Sequence, residues 1–116
     1  MIEEEVYRVL STALVTDSIY PHRLPEGSVK FPAVVIYGAG GVPIDAQDAY
    51  VRVVIVRCDV WAQTFDEVVN TARDVRSVLA RYNSGSMSSV YRGELDIDDP
   101  DTGMFRRTLE FVMQEP

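Results

Sequence analysis

Residues 50–63 read YVRVVIVRCDVWAQ, the longest β-type run in the chain. Val and Ile suit a pleated, half-buried surface. Side chains of a strand alternate between its two faces. The even positions are Val54, Val56, Cys58 and Val60, an apolar face that predicts a core. The odd positions are Val51, Val53, Ile55, Arg57, Asp59 and Trp61, half apolar and half charged. That second face calls for a cover, from elsewhere in the chain or from another subunit. Cys58 on the core face reads as a small buried hydrophobe rather than a nucleophile.

Upstream, Phe31–Tyr37 (FPAVVIY) predicts a strand, with Pro32 at its beginning or on an edge because proline lacks an amide donor. The stretch GAGGVPIDAQD, Gly38–Asp48, predicts a long mobile loop, closing at residue 49, between two antiparallel strands. It lacks the Lys-Ser/Thr of a P-loop and leads into a strand, so it does not read as a phosphate cradle. IYPHRLPEG, Ile19–Gly27, predicts an extended loop held by two prolines. Ile2 to about Asp17 predicts a helix, with Ile2, Val6, Val9, Leu10, Ala13 and Leu14 as its apolar stripe. Glu3, Glu4 and Glu5 suit the positive end of that helix.

Downstream, Thr64 and Glu67 form a capping box for a second helix. Its stripe is Phe65, Val68, Val69, Ala72, Val75, Val78, Leu79 and Tyr82, and Asn83–Ser86 stops it. Val90–Asp98 alternates strictly, Asp99–Gly103 is turn chemistry, and Met104–Met113 returns as the last strand. The expected register sets Asp98 opposite Met104, Ile97 opposite Phe105, Asp96 opposite Arg106, Arg92 opposite Glu110 and Tyr91 opposite Phe111. It puts opposite charges across from one another on one face. It also leaves Arg107 among Leu95, Phe105 and Leu109. An unpaired charge there is costly, so Arg107 should reach a carboxylate, the sheet edge or a neighbouring subunit, unless a bulge turns it outward. The fold class that follows is α+β: a four-stranded, largely antiparallel sheet with two helices on one face, in the order α-β-β-α-β-β.

Composition narrows the function. At 116 residues the chain is one domain, 47% hydrophobic and 25% charged. Its formal charge is −7, which argues against a protein that wraps nucleic acid. A single cysteine rules out an intramolecular disulfide. The MIEEE start is the opposite of a basic signal-peptide start, and no apolar run approaches the roughly 20 residues needed to span a bilayer. His22 is the only histidine, with no metal-ligand spacing around it. Asp96, Asp98, Asp99 and Asp101 lack the spacing, the central glycine and the closing glutamate of a calcium loop. No cofactor, metal set or catalytic constellation is expected.

Four segments carry a resemblance: IYPHRLPEG followed by FPAVVIYG, then VRCDVWAQTFDEV, and DPDTGMFRRTLEF near the end. Together they resemble the small tail-completion proteins of long-tailed bacteriophages and prophages, the tail-terminator or head–tail joining type. The resemblance implies a non-enzymatic structural protein of virion assembly. Such a protein forms an oligomeric ring, often a hexamer, that caps the tail tube and docks to the head-completion or connector protein. DNA passes through its lumen without sequence-specific binding, and an acidic balance suits such a conduit. The implied location is the head–tail junction of the virion tail, with assembly in the host cytoplasm.

Rings need head-to-tail contacts that close. The candidate subunit interface is Val53, Ile55, Arg57 and Asp59 on the odd face, with Arg92, Asp96, Arg106, Arg107 and Glu110 on the last hairpin. The candidate lumen or tail-tube loop holds Gly40, Gly41, Val42, Ile44, Asp45 and Asp48. The competing reading is a ligand-binding or enzymatic α+β domain built on Tyr20, His22 and Arg23 with Cys58.

Overall fold

The computed structural model of the protein describes residues 2–13, 15–46, 49–99 and 101–115. Its elements are α1 (Ile2–Thr12), β1 (Ser18–Pro21), β2 (Ala33–Ala46), β3 (Ala49–Ala62), α2 (Phe65–Leu79), β4 (Ser88–Asp99) and β5 (Met104–Glu115). One sheet runs in the order β1-β2-β3-β5-β4. β1 lies parallel to β2, and every other neighbouring pair is antiparallel. The α+β class stands. The sheet is five-stranded and mixed rather than four-stranded, and the order is α-β-β-β-α-β-β.

The additional strand comes from the expected loop. Ser18–Pro21 pairs with Ala33–Ile36, so that Ile19 joins the core beside Val34. Thr16 holds the approach by donating its hydroxyl to the Pro32 carbonyl at 2.7 Å. Pro21 ends the strand, and His22 turns away from it with φ 69°. A four-residue strand whose pairing is supplied by a distant partner leaves little local signal.

Three further boundaries move. α1 ends at Thr12, about a turn early, and Ala13 is exposed; Leu14 lies outside the described residues. Ser11 and Thr12 are weak helix formers and yield to the turn into β1. Residues 38–46, expected as a loop, are strand: β2 continues opposite β3 up to Ala46↔Ala49. The glycines are absorbed by a bulge between Gly38 and Gly41, where Gly40 takes φ 118°. Finally, β4 begins at Ser88, and its register against β5 differs from the expected one near the turn. Asp98 faces Phe105, Ile97 faces Arg106 and Asp96 faces Arg107. A bulge between Tyr91 and Gly93 then restores Tyr91↔Phe111.

The even face of β3 is the core face, as its sequence implies. Val54, Val56, Cys58, Val60 and Ala62 join Val34, Ile36, Leu109, Phe111 and Met113 beneath both helices. α1 contributes Ile2, Val6 and Leu10, and α2 contributes Val68, Ala72, Val75 and Leu79. Thr64 caps α2 by accepting the Glu67 amide at 3.2 Å. Phe65 escapes the core at the helix start, 51% exposed, and packs edge-on against Phe105 at 5.9 Å between ring centroids. The helices are tied at their ends, where the Ser84 and Ser86 hydroxyls donate to the Glu5 carboxylate.

Phe111 is fully buried at the centre of this cluster and meets Tyr91 edge-on at 5.8 Å. Phe111→Ala should lower the unfolding free energy by about 3–5 kcal/mol in urea denaturation. A loss below about 1 kcal/mol would contradict its central position.

Candidate functional site

Both helices cover one face of the sheet, and among the described residues no helix lies on the other. From Val53 onward the odd residues of β3 point to that open face together with Tyr37, Arg106, Thr108, Glu110 and Val112. Val53, Ile55 and Val112 are half-buried there. On the edge strand β4, Val90 and Leu95 are 64% and 67% exposed.

A polar network occupies the middle of the open face. Asp59 is only 4% exposed yet fully engaged. It accepts from Arg106 Nη2 at 2.5 Å, from Thr108 Oγ1 at 2.7 Å and from the Tyr37 hydroxyl at 3.3 Å. Register explains the assembly, because Asp59 sits directly opposite both Val35 and Thr108, and Arg106 sits opposite Trp61. The Arg106 guanidinium lies 5.0 Å from the Trp61 ring centroid, a cation–π contact. Burial, and then the neighbouring Asp59 charge, push the Tyr37 phenol above its ordinary value. Beside this set, Glu110 accepts from Arg57 Nε at 3.0 Å and lies 3.3 Å from Arg92 Nε. The hydrogen bond to Glu110 holds the Arg57 guanidinium even more firmly charged.

A second network lies on the helix side. Arg107 Nε and Nη2 reach the two Asp96 carboxylate oxygens at 2.5 and 3.0 Å, and Nη1 lies 3.3 Å from Glu94. Glu94 also accepts from Arg76 of α2 at 2.5 Å and from the Tyr91 hydroxyl at 2.7 Å. The Arg107 guanidinium stands 5.9 Å from the Phe65 ring centroid. Thus Arg107 stays on the covered face and finds its carboxylate there. The one-residue register difference supplies it, by setting Asp96 rather than Ile97 on that face.

The expected interface residues therefore separate into groups. Arg57, Asp59, Arg92, Arg106 and Glu110 come together on the open face and bond to one another. Asp96 and Arg107 form a pair on the opposite side of the sheet. Val53 and Ile55 remain on the open face without polar work to do. Gly40, Gly41, Val42, Ile44 and Asp45 belong to the β2 arm of a long hairpin, and Asp48 lies outside the described residues. Tyr37, Thr108 and Glu94 were not singled out from sequence. The β3–β5 register would have found Thr108, since it fixes what lies opposite Asp59.

The residues of the competing reading do not converge. Tyr20 and His22 line an open groove of about 640 Å³ with Glu3, Glu4, Tyr7, Ile19, Pro21 and Ile36. Arg23 does not line it, and Cys58 is fully buried in the core. Burial raises the Cys58 thiol to about 12, which keeps it un-ionised and unreactive. Among the described residues no group of three or more His, Cys, Asp or Glu could hold a metal ion, and no helix is long and apolar enough to cross a membrane.

A chain of the virion of a native gene transfer agent particle has this fold. The two superpose with a TM-score of 0.78 at 17% sequence identity, over 95% of this chain and 90% of the other. No protein-family model matches the sequence, and no curated protein matches it.

Two outcomes test the networks. Asp59→Ala strands a largely buried Arg106 and should cost about 3 kcal/mol of unfolding free energy. For Asp96, the Arg107 hydrogen bond holds the carboxyl below its ordinary value. A depressed value means stability that is present above the ordinary carboxylate range and lost as pH falls through the lowered one. The Asp96 side chain is 50% exposed, so solvent screening limits the effect to about 0.5–1 kcal/mol. Asp96→Asn should therefore lower the melting temperature at pH 7, with the gap to the unsubstituted protein narrowing as pH falls below the ordinary carboxylate range. A gap that does not narrow with falling pH would assign the loss to packing.

Proposed function

We propose that this protein is a non-enzymatic structural component of a phage-type virion, a tail-completion protein of the tail-terminator or head–tail joining type. Copies form a closed ring, hexameric as the sequence resemblance implies, that caps the tail tube. The ring joins the tube to the head-completion or connector protein, and DNA passes through its lumen to or from the head. The observation that carries this reading is the end-to-end likeness to a virion chain, with nine-tenths or more of both chains superposed. A sheet with a helix-free face and half-buried Val53, Ile55 and Val112 also suits a protein whose surface is completed by neighbours. Its charged residues keep that face soluble by pairing within the chain.

The long β2–β3 hairpin is the part assigned to the lumen or the tail-tube contact. Strands of 14 residues extend it well beyond the helices, in a molecule 50 × 26 × 24 Å. Val53 and Ile55 belong to the ring-forming surface, and the Arg57, Asp59, Arg92, Arg106 and Glu110 network beside them stays paired within each copy.

The test is to mix the purified protein with tail tubes that lack their terminal protein. Electron micrographs should show one end of each tube capped by a ring, and capped tubes should join filled heads. Removal of residues 44–49 should leave the melting temperature within a few degrees while abolishing capping or joining. Full joining activity by that variant would remove the hairpin from the assignment, and tubes left uncapped by the intact protein would remove the function.

A further inference from the structure

We propose that successive copies of this chain join by antiparallel β-pairing, the β4 edge of one copy against the open stretch of β2, residues 37–46, of the next. The inference rests on the ring reading above and names the contact that closes the ring.

The two edges are what the sheet leaves unpaired. β1 covers β2 only from Ala33 to Ile36, and the last bond beyond it runs from the His22 amide to the Ile36 carbonyl at 2.8 Å. From Tyr37 to Ala46, β2 has β3 on one side and no strand on the other among the described residues. At the opposite end of the sheet, β5 is the one strand paired with β4 among the described residues; Tyr82 and Asn83 bond to its outer side at Ser89 and Ser88, and the edge is open from Val90 onward. A row of unsatisfied amides and carbonyls is a template for another strand.

Direction and chemistry make the two edges complementary. From β2 to β3, to β5, to β4, every step reverses the chain. β4 therefore runs opposite to β2, and a copy carried around a ring axis presents β4 antiparallel to the next β2, with both helix layers on the same side. The β2 stretch YGAGGVPIDA contains no Lys, the most common edge guard, and one charge, Asp45, beyond the Gly38–Gly41 bulge. Its Gly and Ala residues let a second backbone approach closely, and Pro43 removes a single donor near the far end. The most exposed large hydrophobics of the described residues, Val90 and Leu95, stand on the β4 edge and would be covered by the junction.

Pairing two β4 edges about a two-fold axis is the alternative use of that strand. It would crowd Glu94 and Asp96 of both copies on one face, and like charges across a ladder are destabilising. It would also produce a dimer, whereas β4 against β2 is head-to-tail and can close into a ring.

Cysteine cross-linking decides between these arrangements. Ala39→Cys is combined in the full chain with Val90→Cys or Leu95→Cys, and each single variant serves as a control. Oxidation is mild and is carried out with and without tail tubes. Directly opposite strand residues lie within disulfide reach, and Cys58 is too deeply buried to take part. The expected result is that at least one double variant gives a non-reducing ladder from dimer to closed ring, while the single variants give none. Dimers and nothing larger from Leu95→Cys alone would overturn the proposal in favour of the two-fold pair. A ring seen by native mass spectrometry, with no cross-link in either double variant, would overturn the edge pairing and leave the ring. A protein that stays monomeric alone and with tubes overturns both.

Discussion

The alternation of β3 is the constraint on which the rest of the molecule depends. It is the middle strand of five, so its register sets β2 on one side and β5 on the other. Val54, Val56, Cys58 and Val60 are all 4% exposed or less and give both helices one floor. Because the side-chain period is two, the same register places Arg57, Asp59 and Trp61 on the opposite face without further instruction. A shift of one residue would bury Arg57 and Asp59 under α2 and expose the valines. That cost ties the polar network of the open face to the apolar packing of the covered one.

The bulge at Arg92 shows how two such demands are reconciled. Tyr91 must oppose Phe111 to complete the core, and Arg107 needs a carboxylate on the covered face. With an unbroken ladder one of them fails: fixing Tyr91 opposite Phe111 puts Ile97 across from Phe105 and leaves Arg107 beside Leu95. One extra residue in β4 shifts the outer half of the strand and brings Asp96 across from Arg107. Gly93, with φ 150°, supplies the backbone that most residues avoid. Arg92, displaced at the bulge, still reaches Glu110 on the other face.

This explains which parts of the fold were legible in the sequence. The faces of β3, the cap and stripe of α2 and the identity of the final hairpin are written in local pattern. β1 is not, because four residues ending in proline become a strand only when β2 is there to pair with them. Residues 38–46 read as a loop because glycine and proline have poor strand propensity, and pairing with Ala49–Val54 overrides it. The two glycine bulges were visible as residues but not as geometry, since a glycine inside a strand pattern is equally consistent with a break. For the open face, the charged members could be picked out. Their partners depend on register between strands: Tyr37 lies 22 positions from Asp59 in sequence and Thr108 lies 49.

The same accounting bears on how copies could recognise one another. Charged side chains on an unoccupied face are natural candidates for contacts between subunits. In this molecule Asp59, Arg106, Arg57, Glu110 and Arg92 are already paired within the chain, so using them across a junction would mean breaking bonds already formed. Among the described residues, backbone is open along β4 from Val90 and along the far half of β2, with the exposed Val90 and Leu95 on the first of these edges. A small domain buries a modest share of its surface on its own. Main-chain pairing between copies would extend the sheet without disturbing the networks that hold each copy, and would add stability that grows with concentration. Under the proposed pairing each copy would keep its own networks intact and offer the next a directional edge.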